Sequence, residues 1–382
     1  MGTTTVQRYA AGRAREVELL DAASSLFAER DFGGVSLRDI AARTGISHAS
    51  VLRYYPSKDA ILRALLDRWE QGNIAFSREH PELRGPELTM ALARRNDAVP
   101  GYVELFAVLA GEATPSQHPA HDHFARRYRD LRGGFDNPGQ APEPGLSALW
   151  DGLQIMSLYI DELQVPDELA AFLGGAGAPR RAWDLPEPPA EALGREAGAG
   201  YSKGRRRRAE IVRNASRLFA ERGFLATSLS EIARHAGVSK STLVHHIGTK
   251  NNLLASVLQA RDHAVIETFD ADGGMRLSDL VTGSRLNELS SGLVELYTVM
   301  VCEATSPLHP AHDYFSRRYR NTVSRFAELL RAEAPGIPDP LRSATWFVAT
   351  WDGLQIQWLY DRDAVDVPGT LARLLADLST RD

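Results

Sequence analysis

The sequence repeats itself, and that one feature limits the fold more than any other. "LFAER" occurs at residues 26–30 and again at 218–222, an offset of 192. At the same offset "SLRDIAARTGIS" (36–47) matches "SLSEIARHAGVS" (228–239). Further on, "HPAHDHFARRYR" (118–129) matches "HPAHDYFSRRYR" (309–320), and "WDGLQI" stands at 150–155 and at 351–356. The offset drifts to 191 and then 201, so insertions fall between helices. Two copies of one long unit therefore fill most of the 382 residues, a duplication rather than a short-period solenoid.

Residues 174–204, "GGAGAPRRAWDLPEPPAEALGREAGAGYSKG", separate the copies. They are rich in Gly, Pro and Ala and read as a linker. Extended at ~3.3 Å per residue, such a stretch spans up to ~100 Å, so the second copy is free to sit beside the first. The resulting division is 1–57 and 58–173, the linker 174–204, then 205–249 and 250–382.

Each copy opens with an apolar stripe at helical spacing: Leu19, Leu20, Ala23, Leu26 and Phe27, then Ile211, Val212, Ala215, Leu218 and Phe219. Ser36 with Asp39, and Ser228 with Glu231, have capping-box spacing for a short second helix. Gly45 and Gly237 supply the left-handed residue that ends it. Ser47 and Ser239 then cap a third helix. Helix, four-residue turn, helix is the supersecondary unit that lays its second helix in the DNA major groove. A further helix opens each time with Ser57–Lys58 or Thr249–Lys250.

"LFAERDFGGVSLRDIAARTGISHASVLRYYPSKDAIL" and "LFAERGFLATSLSEIARHAGVSKSTLVHHIGTKNNLL" both resemble the DNA-binding head of tetracycline-repressor (TetR) family regulators. The helical remainders, with "HPAHxxF" and "WDGLQI", are similar to the family's ligand-binding and dimerisation domains. The resemblance implies an all-α fold and a repressor that leaves its operator when a small-molecule effector binds. Family members act as homodimers; the duplication implies both subunits in one chain, an intramolecular pseudo-dimer, with further self-association left open. Family members carry a phosphate-contacting tyrosine late in the recognition helix, where this chain has Leu52 and Val244. The resemblance also assigns Lys58 and Lys250 to phosphate at a helix N-terminus.

The DNA-facing positions differ between copies. His48, Ala49, Ser50, Arg53 and Tyr54 align with Lys240, Ser241, Thr242, His245 and His246. Lys240 suits guanine O6/N7, whereas Ala49 offers contact only to a thymine methyl. Unlike heads imply an asymmetric operator; drift, with one head reduced to phosphate gripping, is the alternative. Residues 1–62 carry eight Lys and Arg against seven Asp and Glu, while residues 203–254 carry eleven against three. The second head is the expected stronger grip, because phosphate contacts supply much of the affinity. Arg205, Arg206, Arg207 and Arg208 form a basic arm before its first helix.

In the bodies, Phe106, Phe124, Met156, Tyr297, Met300 and Phe315 are candidate ligand-pocket residues, with core packing as the competing role. Trp150, Tyr159, Trp351, Trp358 and Tyr360 are candidates for an interface between the copies. Pro119 and Pro310 read as the first residues of a helix. Glu112, His118, His121 and Asp122, repeated at Glu303, His309, His312 and Asp313, have metal-ligand chemistry, but their spacing crosses a helix start and favours packing. No metal and no cofactor are expected.

Other functions are limited by composition. No run of eighteen apolar residues suggests a membrane span, and the N-terminus lacks a secretory apolar core. Cys302 is the sole cysteine, so no intrachain disulfide forms and a reducing cytoplasm fits. No glycine-rich phosphate loop, serine elbow or zinc-helix motif points to an enzyme. A ligand- or partner-binding regulator that no longer reads DNA is the remaining competitor.

Overall fold

The computed structural model describes residues 3–30, 32–133, 145–174, 202–269, 276–289 and 292–380. Among the described residues there is no strand; the fold is all-α. The first copy runs α1 (Thr3–Arg30), α2 (Leu37–Thr44), α3 (His48–Tyr54), α4 (Lys58–Glu79), α5 (Gly85–Asp97), α6 (Tyr102–Glu112), α7 (His121–Gly133), α8 (Leu146–Ser157) and α9 (Val165–Phe172). The second repeats the order with α10 (Ser202–Arg222), α11 (Leu229–His235), α12 (Lys240–Ile247), α13 (Lys250–Phe269), α14 (Leu277–Leu289), α15 (Leu293–Glu303), α16 (His312–Glu333), α17 (Pro340–Tyr360) and α18 (Val367–Thr380). Most of the expected linker, 175–201, lies outside the described residues, and α10 already begins at Ser202.

The heads form for local reasons. The apolar stripes of α1 and α10 are buried. Ser36 accepts from the Asp39 amide while Asp39 accepts from the Ser36 amide, the complete capping box. Ser47, Ser228 and Ser239 each accept from the amide three residues on, at 3.1, 3.2 and 3.0 Å. Gly45 and Gly237 adopt φ of +66° and +63° in the turn, where a Cβ would be strained. Helices α7 and α16 start later than the sequence predicts, at His121 and His312. The imidazoles of His118 and His309 accept the Ala120 and Ala311 amides at 3.2 Å, so Pro119 and Pro310 lie in the preceding turn.

Contacts between the copies come in reciprocal pairs. Helices α8 and α17 cross so closely that a Cβ on Gly152 would lie 1.8 Å from the Ala349 carbonyl oxygen. The matching Cβ on Gly353 would lie 1.9 Å from that of Ala148. Tyr159 donates to the Val301 carbonyl at 2.6 Å and Tyr360 to the Ala110 carbonyl at 3.0 Å. Each tyrosine packs among the other copy's rings: Tyr159 with His312, Phe315 and Tyr319, Tyr360 with His121, Phe124 and Tyr128. Gly111 of α6 meets its own counterpart, Cys302 of α15, where a glycine Cβ would come within 2.5 Å. These contacts join matching positions of the two copies along one seam. Helices α9 and α18 flank it, with Glu168 accepting from Trp346 Nε1 at 3.0 Å.

Candidate nucleic-acid interface

Helices α3 and α12 present one polar-edged face each to solvent. A period of 3.6 residues puts i, i+1, i+4 and i+5 on one stripe. His48, Ala49, Leu52 and Arg53 are exposed along α3, as are Lys240, Ser241, Val244 and His245 along α12. Tyr54 is exposed at the edge and His246 is half-buried. Val51, Leu243 and Ile247 anchor the opposite faces in the head cores. Ser50 and Thr242 are half-buried and engaged with their caps, Ser47 Oγ to Ser50 Oγ at 2.9 Å and Ser239 Oγ to Thr242 Oγ1 at 2.8 Å. They sit behind the stripe rather than on it. Leu52 and Val244, 41% and 43% exposed, stand on the same stripe, where the resemblance placed only an absent tyrosine; their i+4 relation to His48 and Lys240 is the sequence signal for it.

Lys58 and Lys250 face inward. The Lys58 ammonium donates to the Phe32 and Val35 carbonyls at 2.6 and 2.8 Å and lies 4.2 Å from the Phe32 ring centre. Lys250 donates to the Leu225 carbonyl at 3.3 Å and lies over Phe224 at the same 4.2 Å. Both close the loop between the first two helices of their head. The four arginines belong to the first turns of α10 rather than to an extended arm. Arg205 and Arg206 are exposed, Arg207 pairs with Glu210 at 3.1 Å, and Arg208 reaches Ser256 at 3.3 Å.

Each head is fastened to its body by one carboxylate. Glu112, at the end of α6, accepts from the Phe32 and Gly33 amides at 2.7 and 2.8 Å. Glu303, at the end of α15, accepts from the Phe224 and Leu225 amides, both at 2.6 Å. His118 and His309 stand 3.8 Å from these carboxylates, and burial pulls their pKa down from 6.5 to about 4. His121 and His312 bond the Ala113 and Ala304 carbonyls through Nδ1. These acidic and histidine side chains are thus built into packing, and no group of them fit to hold a metal occurs among the described residues. A cavity of about 230 Å³ opens where Arg222 and Gly223 of the second head meet Glu112, His118 and Glu303. None of the six expected pocket residues lines it; all six are buried in the bodies, Phe106 beside Phe124 and Tyr297 beside Phe315.

Two capped helix-turn-helix heads, each with an exposed third-helix stripe and each locked to a helical body, define a DNA-binding regulator. Comparison with known proteins gives the family. "Bacterial regulatory proteins, tetR family" matches twice, at residues 19–65 and 211–257. The HTH-type transcriptional regulator TtgR of Pseudomonas putida is 29% identical over 188 residues, covering 44% of this chain and 86% of TtgR. The HTH-type transcriptional repressor Rv3405c of Mycobacterium tuberculosis is 47% identical over 49 residues, 13% of this chain and 26% of that protein. RutR of Escherichia coli, an HTH-type transcriptional regulator, is 39% identical over 70 residues, 17% of this chain and 33% of RutR. Both heads match the TetR family, and the two stand in tandem in one chain. It is a DNA-binding transcriptional regulator and not an enzyme. No described helix is long and apolar enough to cross a membrane.

Proposed function

We propose that this chain is a transcriptional repressor that acts as its own dimer, binds an asymmetric operator through two unlike heads, and is released by a small-molecule effector. The carrying observation is the contrast between the recognition stripes. The caps and the turn are the same in both heads, yet His48, Ala49, Leu52 and Arg53 become Lys240, Ser241, Val244 and His245. Three of the four pairs change donor, acceptor or charge, which is what base edges read, while Leu52 and Val244 both stay aliphatic. The reciprocal seam supports a chain that supplies both subunits. The carboxylate bolts support the release step, since a shift of α6 or α15 moves Glu112 or Glu303 together with the head amides they hold. Repression is what the family resemblance implies, and Rv3405c, similar to one head, is a transcriptional repressor. Action on chromosomal DNA places the protein in the cytoplasm.

The test is stoichiometry. Native mass spectrometry of the chain on its selected operator should show one chain per duplex. Two chains on each duplex would overturn the single-chain dimer.

A further inference from the structure

We infer that the second body, and not the first, holds a site for a small organic carboxylate, between Arg261 of α13 and Arg318 of α16. The inference rests on the proposal that the chain answers to an effector, and it names that effector's chemistry and its place.

Among the described residues the cluster is rich in donors and short of acceptors. The Arg261 side chain is 8% exposed and stacks on Tyr297, 4.4 Å from the ring centre. Among the described residues its Nε has no hydrogen-bond partner, and its Nη1 meets Asp262 Oδ1 at only 3.4 Å. Asp262 is already committed to Arg318 at 2.9 Å and to the Tyr314 hydroxyl at 2.5 Å. Arg318 lies over the same Tyr297 ring at 5.3 Å. The other carboxylate, Asp352, accepts from the Tyr319 and Tyr297 hydroxyls at 2.6 and 3.3 Å and has no ion pair with either arginine. Guanidinium groups carry donors only, and a buried one is stable when acceptors answer them. Here Asp262 answers two guanidiniums. Burial and the neighbouring Arg318 both pull the Arg261 pKa down, as expected of an under-paired cation.

The first body lacks every part of this surplus. Trp69, Phe106 and His123 stand where the second has Arg261, Tyr297 and Tyr314. Its remaining arginine, Arg127, is answered bidentately by Asp151 at 2.9 and 3.1 Å. Repetition makes the comparison internal: one ancestor unit, one copy closed by an ion pair, the other left with spare donors. A carboxylate is acceptor-only and matches a guanidinium's geometry in two parallel bonds. The Tyr297 and Phe315 rings, 5.9 Å apart, offer a flat apolar wall for the rest of the molecule. Asp262 belongs to the helix that leaves the second head, so an incoming carboxylate competes with it for Arg318 and loosens the tie between α13 and α16.

Calorimetry on the full-length chain, with benzoate as probe and benzamide as its uncharged match, tests this without DNA. Benzoate should bind once per chain, about tenfold or more tighter than benzamide. Arg261→Gln, and Arg318→Lys, which keeps the charge beside Asp262 but loses the two-bond fork, should each weaken benzoate and leave benzamide unchanged. The Arg318 variant keeps the test open should the Arg261 variant fold poorly. No benzoate binding, two sites per chain, equal affinity for benzamide, or insensitivity to both variants would overturn the site. A gel shift on the selected operator then separates the two claims. Benzoate binding that leaves the operator complex intact keeps the site and contradicts effector release.

Discussion

Glu303 accepts the Phe224 amide at 2.6 Å, across 79 residues of sequence, and so joins the second head to its body. The side chain is 7% exposed, against 20% for its counterpart Glu112. A buried charged acceptor holding two amides contributes about 2 kcal/mol. Glu303→Gln should therefore lower stability in urea by about that amount. Glu112→Gln should cost less, because water replaces part of its role. Equal, negligible losses would show that the heads are held by apolar packing alone.

The crossing of α8 and α17 leaves no room for a methyl group. Gly152→Ala and Gly353→Ala each drive a Cβ into a backbone carbonyl, which cannot swing aside as a side-chain tip would. Each should cost about 3 kcal/mol, and limited proteolysis should then cut more readily between the copies. Wild-type stability in either variant would mean that the seam is looser than described.

Asp352 gives the second body a pH dependence. Burial pushes its carboxyl from 3.8 up to about 6, partly offset by the Tyr319 hydrogen bond and Arg318. A raised carboxyl holds its proton more tightly in the folded state, so its stabilising contribution is present below about pH 4 and is lost by about pH 6. Asp352→Asn removes that titration. Relative to wild type, the variant should gain stability between pH 4 and pH 7, by up to about 3 kcal/mol. His118, His123 and His309, pulled down to about 4, act in the opposite direction in both proteins and cancel in the difference. A flat difference across that window would show that Asp352 ionises like a solvated carboxyl.

Leu52 and Val244 are exposed apolar side chains on otherwise polar faces. The apolar feature of a major-groove base edge is the thymine methyl. Replacing thymine by deoxyuridine at the contacted step of each half-site should weaken wild-type binding by about 1 kcal/mol. The same change should have no effect on Leu52→Ala or Val244→Ala at its own half-site. A full deoxyuridine penalty in the variants would place the methyl contact elsewhere.

Arg205, Arg206 and Arg208 are exposed on α10, and of these Arg208 reaches Ser256. Replacing Arg205 and Arg206 with alanine should reduce the slope of log affinity against log salt by about 2, with the base preference of the second head unchanged. An unaltered slope would mean that neither arginine meets a phosphate.

What the sequence made legible was local. The serine caps, the turn glycines and the apolar stripes act within four residues of themselves, and all stand where their spacing put them. Lys58 looked like a phosphate ligand because its own neighbours give it a helix N-terminus; its partners, the Phe32 and Val35 carbonyls, are 26 and 23 residues away. Tyr159 and Val301 lie 142 residues apart, and no periodicity announces such a bond. The duplication did carry a usable signal there: Glu112 and Glu303 recur in "EAT", and Asp151 and Asp352 in "WDGLQI". The differences between copies, Trp69 against Arg261 above all, are also in the sequence, but their meaning depends on which side chains the fold brings together.

The most direct measurement is selection of bound sequences from random DNA by the full-length chain. Two unlike half-sites at fixed spacing are the predicted result, one for the Ala49–Leu52 stripe and one for the Ser241–Val244 stripe. A palindrome would contradict it, because like half-sites require like heads.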